Sequence, residues 1–110
     1  MSKVIKTAQE QIINAVTAAV KKNTEKGVFP EAEIPTFKTE VPADKQNGDY
    51  SANAAFLLSK PLKKAPKIIA DAILAEIDLG GTYFEKCEVA GPGFINFYFK
   101  DEFYADVLLD

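Results

Sequence analysis

Histidine, arginine and tryptophan are absent from this chain of 110 residues, and cysteine occurs only once. Without histidine, the commonest general acid-base group is missing, and nearly every zinc-ligand pattern is lost with it. Without arginine, no side chain clamps a phosphate or a guanine in the bidentate way that a guanidinium allows. The single cysteine, Cys87, forms no disulfide within the chain and is typical of a reducing cytoplasm. Histidine-dependent catalysis is therefore excluded.

The sequence also has no long apolar run and no excess of positive charge. No segment approaches the roughly 20 apolar residues of a membrane span, and the first residues lack the apolar region of a secretion signal. The formal net charge of −3 disfavours strong autonomous nucleic-acid binding, because such binding usually needs a basic excess. We therefore expect a cytoplasmic protein that does not enter a membrane.

The order of local patterns predicts one folded domain. A hydrophobic fraction of 47% in 110 residues is enough for one core and too little for two domains. Apolar spacing, proline positions and the Asn47-Gly48 turn signal define the elements. The predicted elements are a helix over 2–22, strands over 37–41 and 49–52, a helical segment over 53–77 interrupted by Pro61 and Pro66, strands over 82–90 and 94–99, and a helix from 101. This α-β-β-α-β-β-α order predicts an α+β two-layer sandwich with one sheet face covered by helices.

Two of these strands carry side chains that alternate between faces. In the strand over 37–41, Phe37, Thr39 and Val41 are predicted on the buried side. In the segment GPGFINFYF, which spans 91–99, alternation gives Ile95, Phe97 and Phe99 on the core face and Phe94, Asn96, Tyr98 and Lys100 on the other. A ring next to an amide is typical of surfaces that stack an unpaired RNA base and hydrogen-bond its edge. The alternative is an edge strand, or a surface that a neighbouring domain or a partner protein covers.

Other polar motifs have simpler interpretations. Lys60, Lys63, Lys64 and Lys67 form a basic cluster that either faces phosphates or only provides solubility and helix-end electrostatics. Pairs of carboxylates in loops and strand edges are solvated charges, and the glycine pairs lack the spacing of a phosphate-binding loop. In GDYSANAAF, Asp49 is expected to bind nearby backbone and Asn53 to cap the next helix.

Three segments together resemble a known family. NGDYSANAAFLLSK over 47–60, VAGPGFINFYF over 89–99 and KDEFYADVL over 100–108 are similar to the N-terminal additional domain of arginyl-tRNA synthetase. The resemblance covers almost the whole chain and implies helices over a four-stranded antiparallel sheet. It further implies that the domain docks on the elbow of the tRNA and reads an unpaired base of the D-loop.

The resemblance also implies roles for individual residues. The ring of Phe94 would pack on the base, and the amide of Asn96 would hydrogen-bond it. Gly91 stands where some members of the family have an asparagine, so its base contact would come from backbone alone. Tyr98 and Lys100 extend this surface by alternation and not by the family's pattern.

On this interpretation, residues 1–110 are a single N-terminal tRNA-recognition domain of a longer synthetase. The catalytic and anticodon-binding domains are absent, as are the two signature motifs of a class I active site. The full-length enzyme would use ATP and magnesium to join arginine to its tRNA, whereas this fragment would need no cofactor. Its partners would be the arginine-accepting tRNA and the rest of the synthetase chain. The main rival is a protein-interaction domain that uses the exposed face of Phe94, Asn96 and Tyr98.

Overall fold

The computed structural model describes residues 3–109, apart from the side chain of Lys45, and it is an α+β two-layer sandwich. In this part of the chain, four α-helices pack on one face of a four-stranded antiparallel sheet. The helices are α1 (Lys3–Glu25), α2 (Ala54–Leu62), α3 (Pro66–Glu76) and α4 (Asp101–Leu109), and the strands are β1 (Thr39–Glu40), β2 (Tyr50–Ala52), β3 (Phe84–Ala90) and β4 (Phe94–Phe99). The strand order is β1-β2-β4-β3. The predicted fold is confirmed, with the middle helical segment divided into α2 and α3.

The core lies between the inner face of the sheet and the helices. Helix α1 contributes one apolar stripe because its small and branched side chains recur every three or four residues. From the sheet, Ile95 and Phe97 are fully buried, as predicted. The largest fully buried side chains are Phe84, Phe97, Ile12, Leu58, Ile69, Ile73, Ile95 and Val16. No helix within residues 3–109 is both long enough and apolar enough to span a membrane.

The junction between α2 and α3 differs in detail from the prediction. Helix α2 continues through Pro61 and ends at Leu62, because a proline in the last turn removes only one backbone hydrogen bond. Lys63 then adopts a left-handed conformation, with φ of 56°, and stops the helix. The Ser59 hydroxyl donates to the carbonyl of Lys64 at 2.6 Å and fixes this stop. Helix α3 starts at Pro66, whose fixed φ suits a first helical position.

Two local predictions from the sequence are wrong in detail. Strand β1 ends at Glu40, so alternation does not continue, and Val41 is 73% exposed rather than buried. Asn53 precedes α2, but its side chain forms no capping hydrogen bond. Its ψ of 15° lies outside the extended region typical of a capping residue. Its Oδ1 atom is instead buried without a hydrogen-bond partner.

Candidate functional site

The open face of the sheet carries one row of polar side chains that crosses all four strands. The register pairs Glu40 with Ser51, Ser51 with Asn96, and Asn96 with Glu88. Paired residues of neighbouring antiparallel strands project to the same face, so these four side chains lie side by side. Phe94 is two residues before Asn96 on the same face. Aromatic and amide groups are therefore adjacent on the face that the helices leave open.

Three members of this row, Glu40, Ser51 and Asn96, form the floor of a cavity. The segment 41–49 folds back over the sheet from one side, and the turn between β3 and β4 borders the other. The cavity has a volume of about 620 Å³, within the usual range for small-ligand sites. It is lined by Glu40, Val41, Pro42, Ala43, Asn47, Ser51, Ala90, Gly91, Pro92, Phe94 and Asn96. Its walls are mostly apolar, and a few polar groups converge at its floor.

Phe94 supplies the exposed ring of the cavity. Its side chain is 41% exposed, although Phe56 of α2 packs against it with a ring-centroid distance of 4.8 Å and an interplanar angle of 62°. This edge contact holds the ring in place and leaves much of its surface free. A held, exposed aromatic surface is what a stacked planar ligand needs, because little side-chain entropy remains to be lost on binding.

Asn96 lies on the open face, as predicted, but only 3% of its surface is exposed. The cover comes from Gly48, where an added Cβ would lie 3.4 Å from the Cβ of Asn96 and 2.8 Å from the carbonyl oxygen of Phe97. Gly48 has a φ of +92°, a conformation that favours glycine. None of the hydrogen bonds among the described residues uses the Asn96 side-chain amide. The residue is therefore largely covered, while its unbonded amide atoms stay accessible from the cavity.

Tyr98 is held by its neighbours and does not line the cavity. Its hydroxyl has one proton to donate and shares it between the carbonyl of Gln46, at 3.1 Å, and the carboxylate of Glu88, at 3.3 Å. The Lys86 ammonium lies 4.4 Å from the Tyr98 ring centroid and pairs with Glu88 at 3.1 Å. Partial desolvation, and then the Glu88 charge, raise the pKa of Tyr98. The structure thus brings Phe94, Asn96 and Gly91 together in one cavity and sets Tyr98 beside them.

Asp49 fastens the covering segment 41–49 to β4. Its Oδ2 accepts a hydrogen bond from the backbone N–H of Phe99 at 2.9 Å, and its own N–H donates to the carbonyl of Phe97 at 2.8 Å. The Tyr104 hydroxyl adds a longer contact of 3.4 Å to Oδ1. The expectation that Asp49 binds nearby backbone is wrong, because its partner is 50 residues away in sequence.

The glycines of the β3–β4 turn shape the other wall. Gly91 lines the cavity, is exposed and has a positive φ of 55°. Gly93 has a φ of 145°, and an added Cβ would meet backbone and side-chain atoms of Pro66 at 2.9 Å. The turn is therefore pressed against the start of α3.

The lysine cluster lies next to the cavity and outside it. Lys60 follows Phe56 by one helical turn, so the two side chains share a face of α2. Lys60 and Lys63 are exposed and form no ion pair with any described residue. Lys67 is paired with Asp71 at 3.2 Å, and Lys64 is half-buried. Within residues 3–109, no group of three or more potential metal ligands is found.

The structure is thus an α+β domain whose helices cover one face of an antiparallel sheet, with a cavity that contains a ring and an amide on the open face. The family model described as "Arginyl tRNA synthetase N terminal domain" matches residues 6–99. The chain belongs to this family of arginyl-tRNA synthetase N-terminal domains.

Curated relatives agree with the family. The chain is 36% identical over 108 residues to the arginine–tRNA ligase of Acetivibrio thermocellus, covering 98% of this chain and 19% of that protein. It is 45% identical over 89 residues to the arginine–tRNA ligase of Ruminiclostridium cellulolyticum, covering 81% of this chain and 16% of the relative. The chain thus spans about a fifth of the length of such relatives.

Solved structures show the same fold. The arginyl-tRNA synthetase of Plasmodium falciparum superimposes with a TM-score of 0.62 at 18% identity, over 93% of this chain and 18% of that one. The Thermus thermophilus arginyl-tRNA synthetase gives a TM-score of 0.56 at 25% identity, over 81% of this chain and 14% of that one.

Proposed function

We propose that this domain binds the elbow of an arginine-accepting tRNA by taking an unpaired D-loop base into the cavity on the open face of its sheet. One observation carries the proposal: the exposed ring of Phe94 and the unbonded amide of Asn96 share that cavity. Single-stranded and loop RNA is commonly recognised by stacking on aromatic rings combined with hydrogen bonds to base edges. Membership of the synthetase family supports tRNA as the RNA concerned.

In this proposal, each cavity residue has one task. The base stacks on Phe94, whose contact with Phe56 keeps the ring oriented. The Asn96 amide donates to and accepts from the base edge, and desolvation strengthens these bonds because little water competes with them. Gly91 contributes backbone alone. Tyr98, two residues after Asn96 on the same face of β4, borders the bound RNA.

The lysine cluster is proposed to contact the phosphates on either side of the base. Lys60 and Lys63 are the strongest candidates because both are exposed and have no ion-pair partner in the described part of the chain. Lys64 and Lys67 are weaker candidates, one half-buried and the other already paired with Asp71. Phosphate contacts of this kind position the RNA without reading its sequence.

The reaction itself is proposed to belong to the rest of a longer class I synthetase, which would join arginine to tRNA with ATP and magnesium in the cytoplasm. Within such a chain, the present domain acts as a tethered module. Tethering raises its effective concentration near the tRNA, so that a domain of net charge −3 contributes without binding tightly alone.

The test is an NMR titration of the isotope-labelled chain with an arginine tRNA transcript, and with a plain RNA duplex as the RNA control. We expect shifts concentrated at Gly91, Phe94 and Asn96 with the tRNA only. Phe94→Ala should weaken tRNA binding about tenfold to a hundredfold, the loss of one stacked base. It should leave the domain folded, with only a modest fall in the melting temperature.

Ile13→Ala is the matched control variant, because Ile13 is an α1 side chain with 37% exposure, similar to that of Phe94. It should leave tRNA binding unchanged. Uniform weak shifts with both RNAs would contradict base recognition. That result, with Phe94→Ala still folded, would favour the rival role in which this face binds a protein.

A further inference from the structure

The polar row on the open face contains a group that the base contacts above do not use, the carboxylate of Glu40. Glu40 is exposed, lines the same cavity as Asn96 and Phe94, and forms no ion pair with any described residue. Glu88, at the other end of the row, is in contrast neutralised by Lys86 at 3.1 Å. Among the described residues that line it, the cavity therefore has one carboxylate, and that carboxylate is unpaired within the described part of the chain.

The register fixes the spacing between Glu40 and Asn96. Ser51 lies between them, paired with each. Neighbouring strands are about 4.8 Å apart, so the two Cα atoms are roughly 10 Å apart. The short side chain of Ser51 leaves a gap between the longer side chains of Asn96 and Glu40. A base in this gap has the Asn96 amide on one side and the Glu40 carboxylate on the other.

The charges around the cavity also orient the ligand. The free lysines Lys60 and Lys63 are on the α2 side, beyond Phe94 and Phe56, whereas Glu40 is on the β1 side. Phosphates are attracted to the first side, and the Glu40 carboxylate offers them no contact on the second. A nucleotide therefore enters with its sugar and phosphate toward α2 and its base edge toward β1.

We propose, on the basis of the function proposed above, that Glu40 is a specificity-determining residue that selects adenine and cytosine, which carry an amino group where guanine and uracil carry a carbonyl oxygen. An ionised carboxylate only accepts hydrogen bonds. It binds the amino group of adenine or cytosine and repels the carbonyl oxygen that uracil presents at the equivalent position. Asn96 accepts either kind of edge because its amide both donates and accepts. Stacking and the Asn96 bonds thus give affinity, and Glu40 gives the preference.

The experiment measures the dissociation constants of the chain for four five-nucleotide RNAs that differ only in the central base. That base is adenine, purine, cytosine or uracil. Purine has the ring of adenine without its amino group. We expect adenine to bind about tenfold more tightly than purine, the effect of one hydrogen bond to a charged group. Glu40→Ala should make the two equal, and Glu40→Gln, which keeps an acceptor oxygen, should retain part of the preference.

Glu33→Ala is the control, because it removes the same charge from an exposed loop position outside the cavity. It should leave the preference intact. An undiminished adenine preference in Glu40→Ala, with binding still lost in Phe94→Ala and Asn96→Ala, would overturn this proposal and leave base recognition standing. If Phe94→Ala and Asn96→Ala bind every RNA as the unmodified chain does, both proposals are overturned.

Discussion

The two faces of strand β4 have similar compositions and opposite environments. Phe97 on the inner face is fully buried, whereas Phe94 on the outer face is 41% exposed. Both rings contact another phenylalanine, Phe84 in the first case and Phe56 in the second. The difference is what surrounds these pairs: α-helices enclose the inner face, and a loop and a turn border a cavity over the outer one.

Within the six residues of β4, the inner-face side chains stabilise the fold, and the outer-face side chains are available to a ligand. An aromatic side chain contributes to stability in proportion to the surface that folding removes from water. A ring that stays half-exposed still has apolar surface in water, and a ligand that covers this surface gains the corresponding free energy of burial. Substitutions on the inner face should therefore change the free energy of unfolding, and those on the outer face should change affinity.

The largest effect is expected from Phe97→Ala. Deleting a fully buried phenylalanine ring usually costs about 3–5 kcal/mol. That is a large part of the roughly 5–15 kcal/mol that stabilises a domain. Urea unfolding should show the loss directly. Phe94→Ala is the comparison on the outer face and should cost about 1–2 kcal/mol, because it loses one aromatic pair and a ring that is only partly covered. Equal losses in the two variants would contradict the assignment of the faces.

A second effect concerns the cover over Asn96. Gly48→Ala places a Cβ 2.8 Å from the Phe97 carbonyl oxygen at a φ of +92°. We expect a loss of about 1–3 kcal/mol in urea unfolding, together with weaker RNA binding, because the segment 41–49 must move off the strand. Gly27→Ala is the control, since Gly27 has a similar φ of +78° but nothing within 4 Å of the added atom. Identical losses would show that backbone strain alone is responsible and that Gly48 makes no close contact.

The sequence predicts what depends on local periodicity. Alternation along β4 identified Phe94 and Asn96 on the open face, and helical spacing identified the apolar stripe of α1. Both patterns are periodic over a few consecutive residues, so a sequence alone shows them. The segment 41–49 has no repeating side-chain pattern in its sequence that would indicate its path. Its position over Asn96 therefore could not be predicted.

Long-range pairing was missed for the same reason. Glu40 joins the cavity only through the register of β1 with β2 and of β2 with β4. Asp49 bonds to a backbone N–H 50 residues away. Its one sequence signal is its place after the Asn47-Gly48 turn, and that position does not identify a partner. Pairing across a sheet follows from register, which a single sequence specifies weakly.

The smallest effect is expected from Tyr98→Phe, and it tests whether the outer face depends on its covering segment. The change removes the hydroxyl that bonds to the carbonyl of Gln46 and to Glu88 while keeping the ring. One exposed hydrogen bond contributes about 0.5–1 kcal/mol, so RNA binding should weaken about twofold to fivefold. Amide hydrogen exchange at Gln46 and Asn47 should become faster, with only a small fall in the melting temperature.

Tyr104→Phe provides the matched control, because its hydroxyl makes only a 3.4 Å contact with Asp49 outside the cavity. It should leave both RNA binding and exchange at Gln46 as they are. If Tyr98→Phe also leaves both unchanged, the hydroxyl does not hold the segment, and the backbone bond from Asp49 to Phe97 must suffice. If binding weakens while exchange stays constant, Tyr98 contacts the RNA directly, and the outer face reads more of the tRNA than the single base in its cavity.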